Sequence, residues 1–209
     1  MISGREALER LREGNRRFVE GERRLHRATG QSHREELVDG QAPFAIILGC
    51  SDSRVPTEII FDQGLGDLFV IRIAGNIVAP SGIGSVEFAA GAFGTPLVVV
   101  LGHSSCGAVL ATLDELRRPS ESQSRNLRAI VDRVRPSVEP LLGTGLAADP
   151  AALTRAAVRA NVRASANQLR HGSELLEQLV DDGALLIVGA EYSLETGEVD
   201  FFEGIPHLE

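Results

Sequence analysis

The chain has no lysine; all 21 of its strongly basic residues are arginine. That excludes Schiff-base lysine chemistry and the phosphate-loop lysine. Cysteine is almost as scarce, with only Cys50 and Cys106. They could form one intramolecular disulfide at most, and a reducing cytosol would disfavour it, so thiolate chemistry is the better first reading. Long apolar runs are also missing. The longest aliphatic stretch, Leu97 to Leu101, falls far short of the roughly 20 residues that span a bilayer as a helix. Met1 to Glu20 alternates charged and apolar residues, without the unbroken apolar core of a signal peptide. A soluble, cytoplasmic protein with no membrane partner is expected. The formal net charge of -8, with arginines interleaved among acids, gives no concentrated positive surface and argues against a nucleic-acid partner.

What is present fits one sizeable hydrophobic core: 209 residues, 43% of them apolar. One domain over 1–209 is expected, with an N-terminal helical arm at 1–40 and an α/β core at 41–209. Ala7, Leu8, Leu11, Phe18 and Val19 recur at helical spacing, predicting an amphipathic helix from Gly4 to Glu20 that needs a surface to lie on. The polar stretch Glu22 to Gly40 reads as a loop and a short helix at His33 to Val38. Phe44 to Leu48, Leu68 to Ile73, Leu97 to Leu101 and Leu185 to Val188 are compact apolar runs bounded by Gly, Asp, Asn or Pro. Continuous rather than alternating hydrophobicity predicts strands covered on both faces, hence a mostly parallel sheet with helical crossovers. A fifth, edge strand is expected at Val199 to Phe202. Helix-forming composition marks Ser85 to Phe93, Gly107 to Leu116, Arg125 to Val134 and one long segment, Ala151 to Val180. Arg117 to Ser124 and Gly143 to Pro150 read as loops.

Two clusters can carry chemistry. Cys50-Ser51-Asp52-Ser53-Arg54 follows the first apolar run, and His103-Ser104-Ser105-Cys106 follows the third. Both stand at carboxyl ends of predicted parallel strands, where ligand sites of open α/β sheets gather. If those strands are neighbours, two thiolates and an imidazole converge. That set suits zinc, with a fourth position left for water, whose pKa falls from 15.7 to about 7. Cys106 also precedes a helix, whose N-terminus favours a thiolate. Each cysteine alone reads equally as a small buried hydrophobe, and His26, His33, His171 and His207 read as solvent-exposed. Asp52 and Arg54, two residues apart, can pair on an extended loop. The pair is either a fold-stabilising ion pair or a means of keeping Asp52 ionised, so that it accepts a hydrogen bond from zinc-bound hydroxide. Released from Arg54, Asp52 could itself bind zinc and close the site.

Cys50-x-Asp52-x-Arg54 with His103-x-x-Cys106 resembles the paired zinc motif of the β-carbonic anhydrases. The similarity runs on through Glu58 to Val70, Arg72-x-Ala74-Gly75-Asn76, Gly84 to Phe88 and Leu101-Gly102-His103. It implies one zinc per subunit on Cys50, His103 and Cys106, Asp52 and Arg54 as the catalytic pair, and reversible hydration of carbon dioxide to bicarbonate. It also implies four parallel strands extended by a fifth, a homodimer or homotetramer, and an N-terminal helix covering a neighbouring subunit. Matching positions place Gln41, Phe69 and Phe88 in a small substrate cleft near the subunit interface, with Gly107 close to the zinc. Phe88 stands where plant members often have tyrosine, so a hydroxyl contact is missing there. Some bacterial members carry an inhibitory bicarbonate site with a tryptophan three residues before the first zinc cysteine; here that residue is Ile47, while Gly49 and Arg72 match. Two other readings stay open on the residues alone: a same-fold hydrolase of another small substrate such as carbon disulfide, and a non-catalytic zinc or thiol protein in which Asp52 is a fourth ligand. A dinucleotide fingerprint from Gly82-x-Gly84 fails because Glu87 stands where the third glycine is required.

Overall fold

The computed structural model describes residues 2–24, 30–119 and 124–206. Its strands are β1 (Ala45–Gly49), β2 (Leu68–Arg72), β3 (Leu97–His103), β4 (Leu186–Tyr192) and β5 (Val199–Glu203). They form one sheet in the order β2-β1-β3-β4-β5, parallel except where β5 pairs antiparallel with β4. β1 and β3 are buried along their whole length, whereas β2, with a neighbour on one side only, is half-buried. The unbroken apolar runs have this origin: both faces of the central strands are covered, so neither can be polar.

Alternate residues enter separate cores. Ala45, Ile47, Leu97, Val99 and Leu101 pack with α1 (Gly4–Glu20) and α3 (Thr57–Ile60) on one face. On the other, Ile46, Leu48, Val98 and Val100 meet α4 (Pro80–Phe93), α7 (Pro150–His171) and α8 (Glu174–Asp181). A third cluster, beyond the strand ends, joins α5 (Gly107–Arg117) and α6 (Arg125–Val138) to the start of α7. α7 sits unusually close to the sheet. A Cβ added at Gly102 would come within 2.6 Å of Val162, and one at Gly189 within 2.7 Å of the same side chain.

Two expectations change. The predicted helix over 151–180 is two helices, because Gly172 ends the first and the Ser173 hydroxyl caps the second by accepting from the Leu176 amide. The short helix α2 spans Gln31–Glu36 rather than His33 to Val38. Within one chain the N-terminal helix already has a surface: Ala7, Leu8 and Leu11 are fully buried in the sheet's core. Asn15 donates to the carbonyls of Ile60 and Gly197 and accepts from the Val199 amide, and Arg17 is paired with the fully buried Asp62 carboxylate at 2.5 Å. The helix is therefore tied into this chain's core. Its start is fixed by a capping box between Ser3 and Glu6. No helix among the described residues is long and apolar enough to cross a membrane.

If α1 is integral, Leu11→Ala should destabilise the chain by about 2–5 kcal/mol, the usual cost of emptying a leucine-sized space in a packed core. Urea unfolding at several protein concentrations checks this, because a helix needed only for assembly would show a loss that vanishes on dilution.

Candidate metal centre and active site

β1 lies between β2 and β3, and the crossover out of β1 runs to β2 while the crossover out of β3 runs the other way to β4. The gap outside the carboxyl ends of β1 and β3 is thus the topological switch point, the place where an open parallel sheet leaves a crevice. Gly49 of β1 lies beside Leu101 of β3, which puts Cys50 next to the end of the strand that carries His103. Beyond His103 the chain reverses through Ser105, a non-glycine residue at φ 55°. This turn is held by the Ser104 amide on the Tyr192 carbonyl and the Ser104 hydroxyl accepting from the Leu194 amide. Cys106 returns beneath His103 as the N-cap of α5.

The Sγ atoms of Cys50 and Cys106 and a ring nitrogen of His103 lie within 4.8 Å of one another, and all three residues are buried. Both thiols are free. A carbonyl oxygen carries no proton, so the 2.9 Å contact between His103 Nδ1 and the Ser104 carbonyl requires Nδ1 to be the donor. In the neutral ring Nε2 is then the lone-pair nitrogen. It is buried and has no hydrogen-bond partner, an arrangement that costs free energy in a protein interior unless something accepts the lone pair. Two soft sulfurs and a bare imidazole nitrogen form a donor set that fits zinc, with the second ring nitrogen tied to a carbonyl as in metal-ligating histidines. Cys50 is drawn down chiefly by the hydrogen bond from Cys106, against the opposing effect of burial. Cys106 is pushed up by that bond and by burial, while the first-turn amides of α5 at Val109 and Ala108 pull the other way.

Asp52 lies at the rim, its Oδ2 3.8 Å from His103 Nε2. Arg54 grips it in a bidentate pair, Nε to Oδ1 at 2.9 Å and Nη2 to Oδ2 at 2.7 Å, and the Arg54 amide adds a third bond at 3.0 Å. The segment is a turn rather than the extended loop expected, closed by the Val55 amide on the Asp52 carbonyl. The Arg54 guanidinium holds the Asp52 carboxyl well below the usual carboxylate range, opposed only in part by burial. Arg72, at the end of β2, donates to the Cys50 carbonyl at 3.0 Å and to the Asp52 carbonyl at 2.5 Å. It buttresses the loop that presents both groups.

The family model described as carbonic anhydrase matches residues 45–199, more than half of the chain and all of this constellation. The chain belongs to the β-carbonic anhydrase family. It is 43% identical over 196 residues to a carbonic anhydrase of Mycolicibacterium smegmatis, covering 93% of this chain and 91% of that protein. It is 42% identical over 191 residues to carbonic anhydrase 2 of Mycobacterium tuberculosis, covering 91% and 89%. Among solved structures, the β-carbonic anhydrase CcaA superposes with a TM-score of 0.72 at 30% identity, over 97% of this chain and 94% of that one. The Coccomyxa β-carbonic anhydrase in complex with acetazolamide shares the fold, with a TM-score of 0.73 at 24% identity over 93% and 86%.

As a β-carbonic anhydrase the chain gathers Cys50, His103, Cys106, Asp52 and Arg54 in one place, and Gly107 follows at the start of α5 with open space where a Cβ would be. The other expected cleft residues do not join them within one chain. Phe69 pairs with Ile46, four residues short of Cys50 and so about 13 Å down the sheet at strand rise. Its ring lies 6.3 Å from that of Phe88, which is more than half exposed on α4, and Gln41 is exposed ahead of β1. His171 is exposed as expected, but His33 is half-buried and bonds the Leu65 carbonyl at 3.1 Å. His26 and His207 lie outside the described residues. Ser104, Asn161 and Ser165 were not singled out from sequence; their polar side chains hold loops of the site, and a serine or asparagine in a loop or an alanine-rich helix gives no periodic signal.

Since Arg54 is the first cause of the depressed Asp52 pKa, Arg54→Gln should bring that carboxyl up toward the ordinary 3.8. Carbon-13 NMR of the Asp52 carboxyl during an acid titration reads this directly. The native pKa lies below the unfolded one, so the stability Asp52 contributes is complete above about pH 4 and is lost as pH falls through the native value. Urea midpoints between pH 5 and the acid limit should therefore fall more steeply in the wild type than in Arg54→Gln.

Proposed function

We propose that the chain is a zinc carbonic anhydrase that interconverts carbon dioxide and bicarbonate, with Cys50, His103 and Cys106 as the protein ligands of one zinc ion per subunit. The observation that carries the reading is the bare, buried Nε2 of His103 facing two free thiols, with an ionised carboxylate 3.8 Å away. Zinc, when bound there, lowers the pKa of a water molecule from 15.7 to about 7 and so supplies a nucleophile at neutral pH.

The remaining work falls to the chain. Asp52, kept ionised by Arg54, can only accept hydrogen bonds, so it takes the proton-bearing side of the nucleophile and turns a lone pair toward carbon dioxide. Arg54 fixes the carboxylate's angle through two parallel bonds, which a lysine could not do. In a closed state Asp52, released from Arg54, would itself be a ligand of the metal. Gln41, Phe69, Phe88 and Gly107 line the apolar approach that suits an uncharged, linear substrate. Phe69 and Phe88 stand on the half-buried edge strand and the helix beside it, where a second copy of the chain would complete the cleft. Self-association as a homodimer or homotetramer is part of the proposal, and solved relatives include tetrameric β-carbonic anhydrases from Sordaria macrospora. Two buried free thiols suit a reducing cytoplasm.

Stopped-flow hydration of carbon dioxide by protein of verified zinc content tests the assignment. A fast rate is expected, and a steep rise toward alkaline pH would mark Asp52 as blocking the metal under acidic conditions. Asp52→Asn should retain zinc and lose roughly 100-fold or more in turnover, the scale of deleting one aimed polar group from an active site. Cys106→Ser should lose the metal. No rate above buffer in zinc-loaded wild type would sink the activity, and full zinc retention by Cys106→Ser would sink the ligand set.

A further inference from the structure

The buried face of α7 is apolar at Leu153, Ala157, Val158, Val162, Ala166 and Leu169, yet Asn161 and Ser165 lie buried among them. Buried polar side chains cost free energy unless they are bonded, so their targets matter. Asn161 Nδ2 donates to the Gly75 carbonyl at 2.8 Å, and Ser165 Oγ donates to the Asn76 carbonyl at 3.1 Å. The two donors stand four residues apart, one above the other on the helix. Their targets are consecutive residues of a short turn over Ala74–Asn76 with left-handed backbone at both, φ 70° at Gly75 and 44° at Asn76. Glycine and asparagine adopt such backbone readily, so the turn is locally compatible and its placement is set by what it bonds. The Gly75 amide points out of this turn at the Cys50 sulfur, 3.3 Å away. On its other flank the turn leaves little freedom, since a Cβ at Gly75 would meet Ala108, two residues after Cys106, at 3.0 Å.

We propose that Asn161 and Ser165 are positioning residues for the metal centre: from α7 they clamp the Gly75–Asn76 turn so that the Gly75 N–H caps the Cys50 sulfur. The inference rests on the reading of Cys50 as a zinc ligand. An amide hydrogen bond withdraws charge from a thiolate, so the clamp sets how much charge Cys50 gives to the metal and how readily the metal leaves. The clamp's height above the sulfur is fixed in turn by Val162, between the two donors, which is seated over Gly102 and Gly189. The same helix therefore reads its position from the sheet and transmits it to the ligand.

Cadmium-113 in place of zinc gives a readout independent of turnover. In wild type, a proton–cadmium correlation through the Gly75 amide is expected. In Asn161→Leu, close in volume but without a donor, it should be lost, and zinc should pass to a chelator about 10- to 100-fold faster, the usual penalty for losing a partner behind a metal ligand. Ser165→Ala should shift both readouts in the same direction by less. If Asn161→Leu does not fold, Ser165→Ala and the wild-type correlation decide. Wild type that binds cadmium through Cys50 but shows no correlation from Gly75, or variants that release zinc at the wild-type rate, would overturn the clamp alone. A wild type that takes up neither metal, or a Cys50→Ser that retains zinc, would instead overturn the ligand assignment.

Discussion

The parallel pairing of β1 with β3 is the constraint on which the rest depends. Because the two strands run side by side in the same direction, Cys50 and His103 leave the sheet at the same end and on neighbouring tracks. An antiparallel or non-adjacent arrangement would place them at opposite ends or a strand apart. Once they meet, the order β2-β1-β3 opens a crevice above them, and α5, starting at Cys106, adds the third donor with its own helix N-terminus behind it. Each later feature serves to keep this convergence buried yet chemically open on one side, at Asp52.

The chemistry was legible in the sequence to the extent that it is local. Cys50-x-Asp52-x-Arg54 and His103-x-x-Cys106 each follow a run of four or more apolar residues, whose shortness and flanking glycine point to a buried strand rather than a helix. Their meeting was conditional on strand order, which periodicity does not encode. The Asp52–Arg54 pair was readable from spacing, although the turn that makes it bidentate was not. The break between α7 and α8 was missed because Gly172 and Ser173 interrupt a segment whose composition is otherwise helical throughout. The N-terminal helix reads as amphipathic, but amphipathicity reports only that a surface exists, not whose it is; within the chain, the buried Arg17–Asp62 pair and the three hydrogen bonds of Asn15 tie it down.

Three buried polar side chains on helices serve one purpose. Asn15, Asn161 and Ser165 each bond backbone carbonyls or amides in turns or at the ends of elements, at Ile60, Gly75, Asn76, Gly197 and Val199. Helices thus supply side chains to satisfy loops that have no ladder of their own, and the loops so held are those at the strand ends. A buried side chain doing this gains roughly 1 kcal/mol per hydrogen bond, but its removal leaves an unpaired carbonyl or amide and costs more. The loops near the site are consequently as fixed as the sheet beneath them.

The contact between His103 Nδ1 and the Ser104 carbonyl has a bearing on assembly of the centre. A free imidazole divides its population between two tautomers and several orientations, and an arriving ion must wait for one of them. Here folding makes that selection, with the acceptor coming from the next residue in the chain, itself held in place by Tyr192 and Leu194. The nitrogen presented inward is therefore the same in every molecule. With Nδ1 committed to a carbonyl, His103 has only Nε2 left to offer an ion at this centre.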